Sequence, residues 1–203
     1  MRKALKRIGI CLLIVSLVWA AMAIFDRQTL KNELIRLHVV AASDSDEDQA
    51  LKLRVRDAVV SSLQESMADM ADMEQAKAYL QENLPKLEAL ANRVLREAGC
   101  EDVATVSLQL EEFATRYYDT FTLPAGIYEA LRITIGEGEG QNWWCVVFPT
   151  LCVGATVEEF EETAQCAGLS ESLTAALAGE EGYEVRFFLL DALGKLDNLL
   201  HKS

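Results

Sequence analysis

An α+β domain, with one mixed or antiparallel sheet packed by helices and preceded by a hydrophobic helix, is the fold class that three features of the sequence predict. Asp46 to Met67 and Met73 to Ala98 repeat apolar residues every three or four positions, as amphipathic helices do. Leu34 to Ala42, Val103 to Glu111 and Ile127 to Ile135 alternate apolar and polar residues, as strands do. Ile8 to Phe25 (IGICLLIVSLVWAAMAIF) has no charged residue and is long enough to span the hydrocarbon of a bilayer. With 203 residues, 51% of them hydrophobic, the chain can bury one core besides that segment.

Arg2, Lys3, Lys6 and Arg7 precede the apolar segment, which holds that end in the cytoplasm and sends everything after Phe25 across the membrane. Ala21 and Ala23 form an A-x-A pattern, so cleavage after Ala23 competes with retention as an anchor. On either outcome 1–25 is a signal peptide or signal-anchor helix and 26–203 an extracytoplasmic domain, with a core at 34–152 and a C-terminal extension at 153–203. The net charge is −13 with the four N-terminal cations included and −17 without them. So acidic a domain is repelled by phosphate backbones, which argues against a nucleic-acid partner.

In the first strand Ile35, Leu37, Val39 and Ala41 share one face, and Arg36 and His38 the other. The SDSDEDQ run follows. Its Asp44, Asp46 and Asp48 have the spacing that opens many calcium loops, yet no glycine stands at the sixth position and Ala50 to Arg56 already reads as helix. Capping by Ser43 or Ser45, with Asp46, Glu47 and Asp48 at the positive helix end, accounts for the run without a metal. Pro85 divides the Met73 to Ala98 region into two helices meeting near Asn83 and Leu84, and Gly99 closes the second.

The stretch Ile135 to Cys152 (IGEGEGQNWWCVVFPTLC) organises the rest. Gly136, Gly138 and Gly140 give a turn access to positive φ; the aromatic and β-branched run after it reads as the second arm of a hairpin, ended by Pro149. Apolar residues on both faces of that run place it inside the sheet. Glu129 shares a side with Leu131 and Ile133 and needs a partner there, with Arg36 and His38 the candidates. Beyond Cys152 the sequence predicts a helix at Ser170 to Ala178, a strand at Tyr183 to Leu190 and a terminal helix from Asp191 to His201.

Little catalytic chemistry is legible. There is no H-E-x-x-H, no C-x-x-C and only two histidines, so no zinc pattern is present. G-x-G-x-G with Glu137 and Glu139 inside it is a poor phosphate cradle. Cys145 with His38 is the one thiol–imidazole pair to consider, and Cys145 sits between a tryptophan and a valine, where a thiol is commonly inert or bridged. Cys145 and Cys152 form a candidate disulfide across the turn at Pro149, with free buried thiols as the alternative.

Two blocks, Ile35 to Asp57 (IRLHVVAASDSDEDQALKLRVRD) and Leu123 to Cys152 (LPAGIYEALRITIGEGEGQNWWCVVFPTLC), are long and unusual in composition, and in them the chain resembles the stage II sporulation protein R family of endospore-forming bacteria. The resemblance implies a signalling protein made in the forespore and exported across its membrane into the intermembrane space. There it activates a membrane-embedded peptidase on the mother-cell side, which processes the sigma-E precursor. It implies an activating ligand that is not itself the protease, and the residues point to no catalytic site, no cofactor and no small-molecule substrate; an extracytoplasmic hydrolase, peptidase or wall-cleaving, is the alternative. Candidate partner-binding residues are Ser43, Asp44 and Asp46 in one loop, Glu137, Glu139, Gln141 and Asn142 in another, and Trp143 and Trp144, since exposed aromatics anchor interfaces. The setting of both tryptophans in an apolar strand points first to the core.

Overall fold

Strand alternation and helical stripes assemble into α1 (Arg2–Glu33), β1 (Ile35–Val40), α2 (Asp46–Met67), α3 (Met73–Glu97), β2 (Ala104–Phe113), β3 (Arg116–Tyr117), β4 (Thr122–Leu123), β5 (Gly126–Ile135), β6 (Asn142–Phe148), α4 (Val157–Cys166), α5 (Glu171–Ala178) and α6 (Glu184–His201). The computed structural model describes residues 2–67, 70, 72–149 and 157–201. The main sheet has the order β2-β5-β1-β6, and β3 pairs with β4 alone. β1 is parallel to β5 and antiparallel to β6, and β2 is antiparallel to β5, so the sheet is mixed. The α+β class expected from periodicity is the one observed.

On one face Ile35, Leu37 and Val39 of β1 and Leu131 and Ile133 of β5 pack against Val55, Val59 and Leu63 of α2 and Leu80, Ala91 and Leu95 of α3. Each buried leucine or valine contributes roughly 1.5–3 kcal/mol. On the other face Phe113, Tyr128, Ala130 and Val146 pack against Leu30 of α1, Phe160 of α4, Leu173 and Leu177 of α5 and Leu190 of α6. Ser45 Oγ accepts from the Asp48 amide (3.1 Å) at the start of α2. Asp72 caps α3 through the Gln75 amide (2.9 Å), and Ser170 caps α5.

Four expectations are corrected. β6 is neither the hairpin partner of β5 nor an inner strand: β1 lies between them and β6 stands at the edge. Its two apolar faces reflect helices on both sides of the sheet, since Cys145 and Val147 face the α2–α3 core and Val146 the opposite one. Pro85 does not divide α3, which runs unbroken from Met73 to Glu97. Pro85 and Gln81, whose carbonyl loses its i+4 donor, are both exposed, so water can serve that carbonyl while Leu80, Leu87 and Ala91 hold one buried stripe. Tyr183 to Leu190 is not a strand; α6 spans Glu184 to His201 because Arg186, Leu190 and Gly194 recur every four residues on its buried side. Glu129 pairs with Lys77 of α3 (2.8 Å), not with Arg36 or His38, which point to the other face.

α1 continues past the apolar segment into the domain. Residues 8–22 are exposed, whereas Ala23, Asp26 and Leu30 are buried. Among the described residues it is the one helix long and apolar enough to cross a membrane. Its Asp26 carboxylate accepts from Arg186 Nε and Nη2 of α6, both at 2.7 Å.

Candidate partner-binding site

The two loops singled out in the sequence meet where β1 and β5, running parallel, both end. Glu139 donates its amide to the Ala42 carbonyl (3.2 Å) and Gly140 to that of Ala41 (3.0 Å). Gln141 donates its amide to the Asp44 carboxylate (2.7 Å). A Cβ on Gly140 would collide with the Ser43 carbonyl, so glycine is required here for close approach and not for positive φ. Gly136 and Gly138 do take positive φ, 55° and 67°. Behind the junction Lys52 is buried and donates to Gln49 Oε1 (2.6 Å) and the Gln141 carbonyl (3.0 Å). Burial lowers the Lys52 pKa, Arg56 adds to that, and Asp44 opposes it.

Ser43 is thereby spent on structure, its hydroxyl bonding the Asp48 carboxylate. Asp44, Asp46, Glu137, Glu139, Gln141 and Asn142 are exposed around the junction. Trp143 and Trp144 leave it on opposite faces of β6. Trp143 is 37% exposed, with the Arg56 guanidinium over its ring, 4.2 Å from the centroid. The expectation of core burial fails for Trp143 because it stands at the exposed start of β6, ahead of the buried residues Cys145 to Phe148. Trp144 is half-buried on the other face, stacked on His38 with centroids 5.6 Å apart and carrying the Arg116 guanidinium at 3.3 Å.

Beside Trp144 lies a polar cluster that sequence reasoning did not assemble. His38 Nδ1 is 2.8 Å from Glu111 Oε2 and its Nε2 2.8 Å from Asn142 Oδ1. Arg132 Nη1 (2.8 Å) and Gln109 Nε2 (2.9 Å) donate to Glu111 Oε1. Burial pushes the Glu111 carboxyl up, and hydrogen bonds from His38, Arg132 and Gln109 outweigh it, bringing its pKa down to about 2. Deeper in the same face Arg36 is wholly buried, its guanidinium 4.0 Å from the Phe113 centroid and 5.2 Å from that of Tyr128, with Nη2 donating to the Tyr118 hydroxyl (2.9 Å). Burial pushes Tyr128 up to about 12, against the pull of Arg36, so it stays a neutral phenol donating to the Pro124 carbonyl (2.9 Å). The signal that could have found this cluster is polar residues at period two in three strands: Arg36 and His38, Gln109 and Glu111, Arg132 and Thr134. Only the register, with His38 opposite both Arg132 and Trp144, brings them together.

Cys145 and His38 do not form a thiol–imidazole pair. Cys145 faces the α2–α3 core and is disulfide-bonded, while His38 projects from the opposite face. Cys11, Cys100 and Cys166 are free. Cys152, the expected partner of Cys145, lies outside the described residues.

The family model for stage II sporulation protein R matches residues 31–158 of this chain, from the last turn of α1 through the whole sheet. The chain belongs to the stage II sporulation protein R family. Stage II sporulation protein R of Bacillus subtilis (strain 168) is 35% identical over 185 residues, covering 82% of this chain and 83% of its own. No solved structure matches the chain. Both loops, Trp143, Trp144 and the His38–Glu111 cluster lie within the stretch that the stage II sporulation protein R model covers, whereas α5 and α6 lie beyond it.

Proposed function

We propose that this member of the stage II sporulation protein R family is an exported activating ligand and not an enzyme. On this reading α1 serves as signal or anchor, residues after Phe25 fold in the intermembrane space outside the forespore membrane, and the folded domain activates a membrane-embedded peptidase that processes the sigma-E precursor. Family membership supports the sporulation role, and the apolar α1 with its basic flank supports export.

The observation that carries the contact surface is the junction itself. Exposed Asp44, Asp46, Glu137, Glu139, Gln141 and Asn142 stand on two loops that are tied together by the Glu139 and Gly140 amides on the Ala42 and Ala41 carbonyls and by the Gln141 amide on the Asp44 carboxylate, and the second loop ends at exposed Trp143, a polar rim beside an aromatic anchor. Ser43 stiffens the rim and Trp144 continues it over the sheet edge. Rigidity matters because a pre-ordered surface loses little conformational entropy on binding.

The test is to place the full chain with membranes containing the peptidase and its precursor substrate. Cleavage that requires both the chain and an active peptidase is expected, with Trp143→Ala and Gln141→Ala reducing it and leaving the fold intact. Cleavage of the precursor or of peptidoglycan by this chain alone overturns the reading in favour of a hydrolase.

A further inference from the structure

α6 carries large apolar side chains on the side that should face water. At about 100° per residue, Val185, Phe188, Leu196 and Leu199 share one face of the helix. Asp191, Gly194 and Asn198 lie roughly opposite and meet the sheet at Thr115, Ala125 and Phe113. Phe188 is 69% exposed and Leu199 68%. A helix with one face on a core ordinarily turns polar residues outward, and a contiguous exposed apolar face marks an interaction surface.

Position identifies what covers that face. Arg186 is bonded to Asp26, the residue after Phe25, where the uncharged segment ends. Asp197 pairs with Arg27 and Lys31. From Arg186 to Asp197 α6 advances about 16 Å, whereas the residues it meets on α1 lie within about 7 Å of one another along that axis. α6 therefore crosses α1 obliquely at the end of the apolar segment. On α1, Phe25, 72% exposed, and exposed Ile24 directly precede Asp26 at that same end of the apolar segment.

We propose that α6 is an interfacial helix whose Val185–Phe188–Leu196–Leu199 face is seated in the lipid–water boundary of the bilayer that α1 enters. The inference rests on the reading of α1 as membrane-inserted. Burial of the apolar face supplies the attraction, and the acidic Glu184, Asp191 and Asp197 of α6 are nearly balanced by Arg186 and Lys195, so headgroups meet little net charge. The domain then stands on two elements instead of pivoting on one. β5 starts beside α6 at Gly126 and ends at Ile135 by the candidate loops. Its ten residues span about 30 Å, so the loops are carried to the far end of the domain, toward whatever faces the membrane.

Site-directed spin labelling of the full chain in phosphatidylcholine nanodiscs tests this, with Cys11, Cys100 and Cys166 replaced by Ala. Labels go on Phe188→Cys and Leu199→Cys, on Ser16→Cys within α1, and on Arg93→Cys at the exposed side of α3. Labels at 188 and 199 are expected to be relaxed more by oxygen than by a water-soluble nickel chelate, at shallower depth than the label at 16, with the label at 93 showing the reverse. Water-like behaviour at 188 and 199 with lipid depth at 16 overturns the α6 inference and leaves the α1 reading standing. Water-like behaviour at 16 overturns both. Shielding of 188 and 199 from both reagents means that protein, such as a second copy of the chain, covers the face, and overturns the inference as well.

Discussion

The two faces of the central sheet are held by different physics. The face under α2 and α3 is an apolar layer of Leu, Ile and Val whose few polar members, such as Glu129 with Lys77, sit at its margin. The opposite face mixes apolar packing with charge: Arg36 over Phe113 and Tyr128, Arg116 over Trp144, Glu111 between His38 and Arg132, and Asp26 with Arg186 under α6. A dry face tolerates no interruption, and at its edge Trp143 reaches solvent. The charged one trades desolvation against pairing, and its open end can be read from outside. The proposed contact surface lies at the rim where β1, β5 and β6 carry the polar face into exposed loops.

The largest effect expected is on the dry face. Leu131 is completely buried at the middle of β5, so Leu131→Ala should destabilise the domain by about 4 kcal/mol through lost burial and a cavity, measured as a shift of the urea midpoint of the full chain in detergent micelles. On the charged face Arg186→Met leaves the Asp26 carboxylate buried without its bidentate partner and should cost about 3 kcal/mol. Asp26→Asn in the same background should restore part of that loss, which a purely apolar contact would not show.

Glu111 separates the faces by pH. Its carboxyl lies at about 2 in the folded protein against 4.5 when unperturbed. A lowered folded pKa means that its contribution is complete above 4.5 and disappears as pH falls through 2, up to about 3 kcal/mol in all. Denaturant midpoints between pH 5 and pH 2 should therefore fall less steeply in Glu111→Gln than in the parent, while Leu131→Ala should parallel the parent. The smallest stability effect belongs to Trp143, where loss of the Arg56 contact should cost under about 1 kcal/mol. Its effect on precursor processing should nevertheless exceed that of any substitution on α3, or on α2 beyond Asp46, that leaves the fold intact.

Legibility in the sequence followed the same division. The stripes of α2 and α3 and the alternation of β1, β2 and β5 were readable because each is a local period repeated over several turns or pleats. Edge placement of β6 was not, because two apolar faces look alike whether a strand is central or lies at an edge with helices on both sides. Tyr183 to Leu190 is rich in aromatic and branched residues and imitates a strand; the four-residue recurrence that makes it helical shows only when Gly194 and Asn198 are counted with it. The two loops could be named from their composition, but their union through Asp44 and the Gln141 amide joins residues 97 positions apart. The His38–Glu111–Arg132 cluster has the same origin in long-range register. Cation–aromatic contacts such as Arg36 on Phe113 leave no periodic trace at all.

Photocrosslinking tests most directly the claim that the domain works by touch through the rim at 43–46 and 137–143. A photoreactive amino acid at position 143 of the full chain, with another at the exposed position 97 of α3 as control, would be irradiated in membranes that hold the peptidase. Adducts to the peptidase from position 143 and none from 97 are the predicted result. Adducts from 97 alone, or none from 143 while the precursor is being processed, would contradict the account.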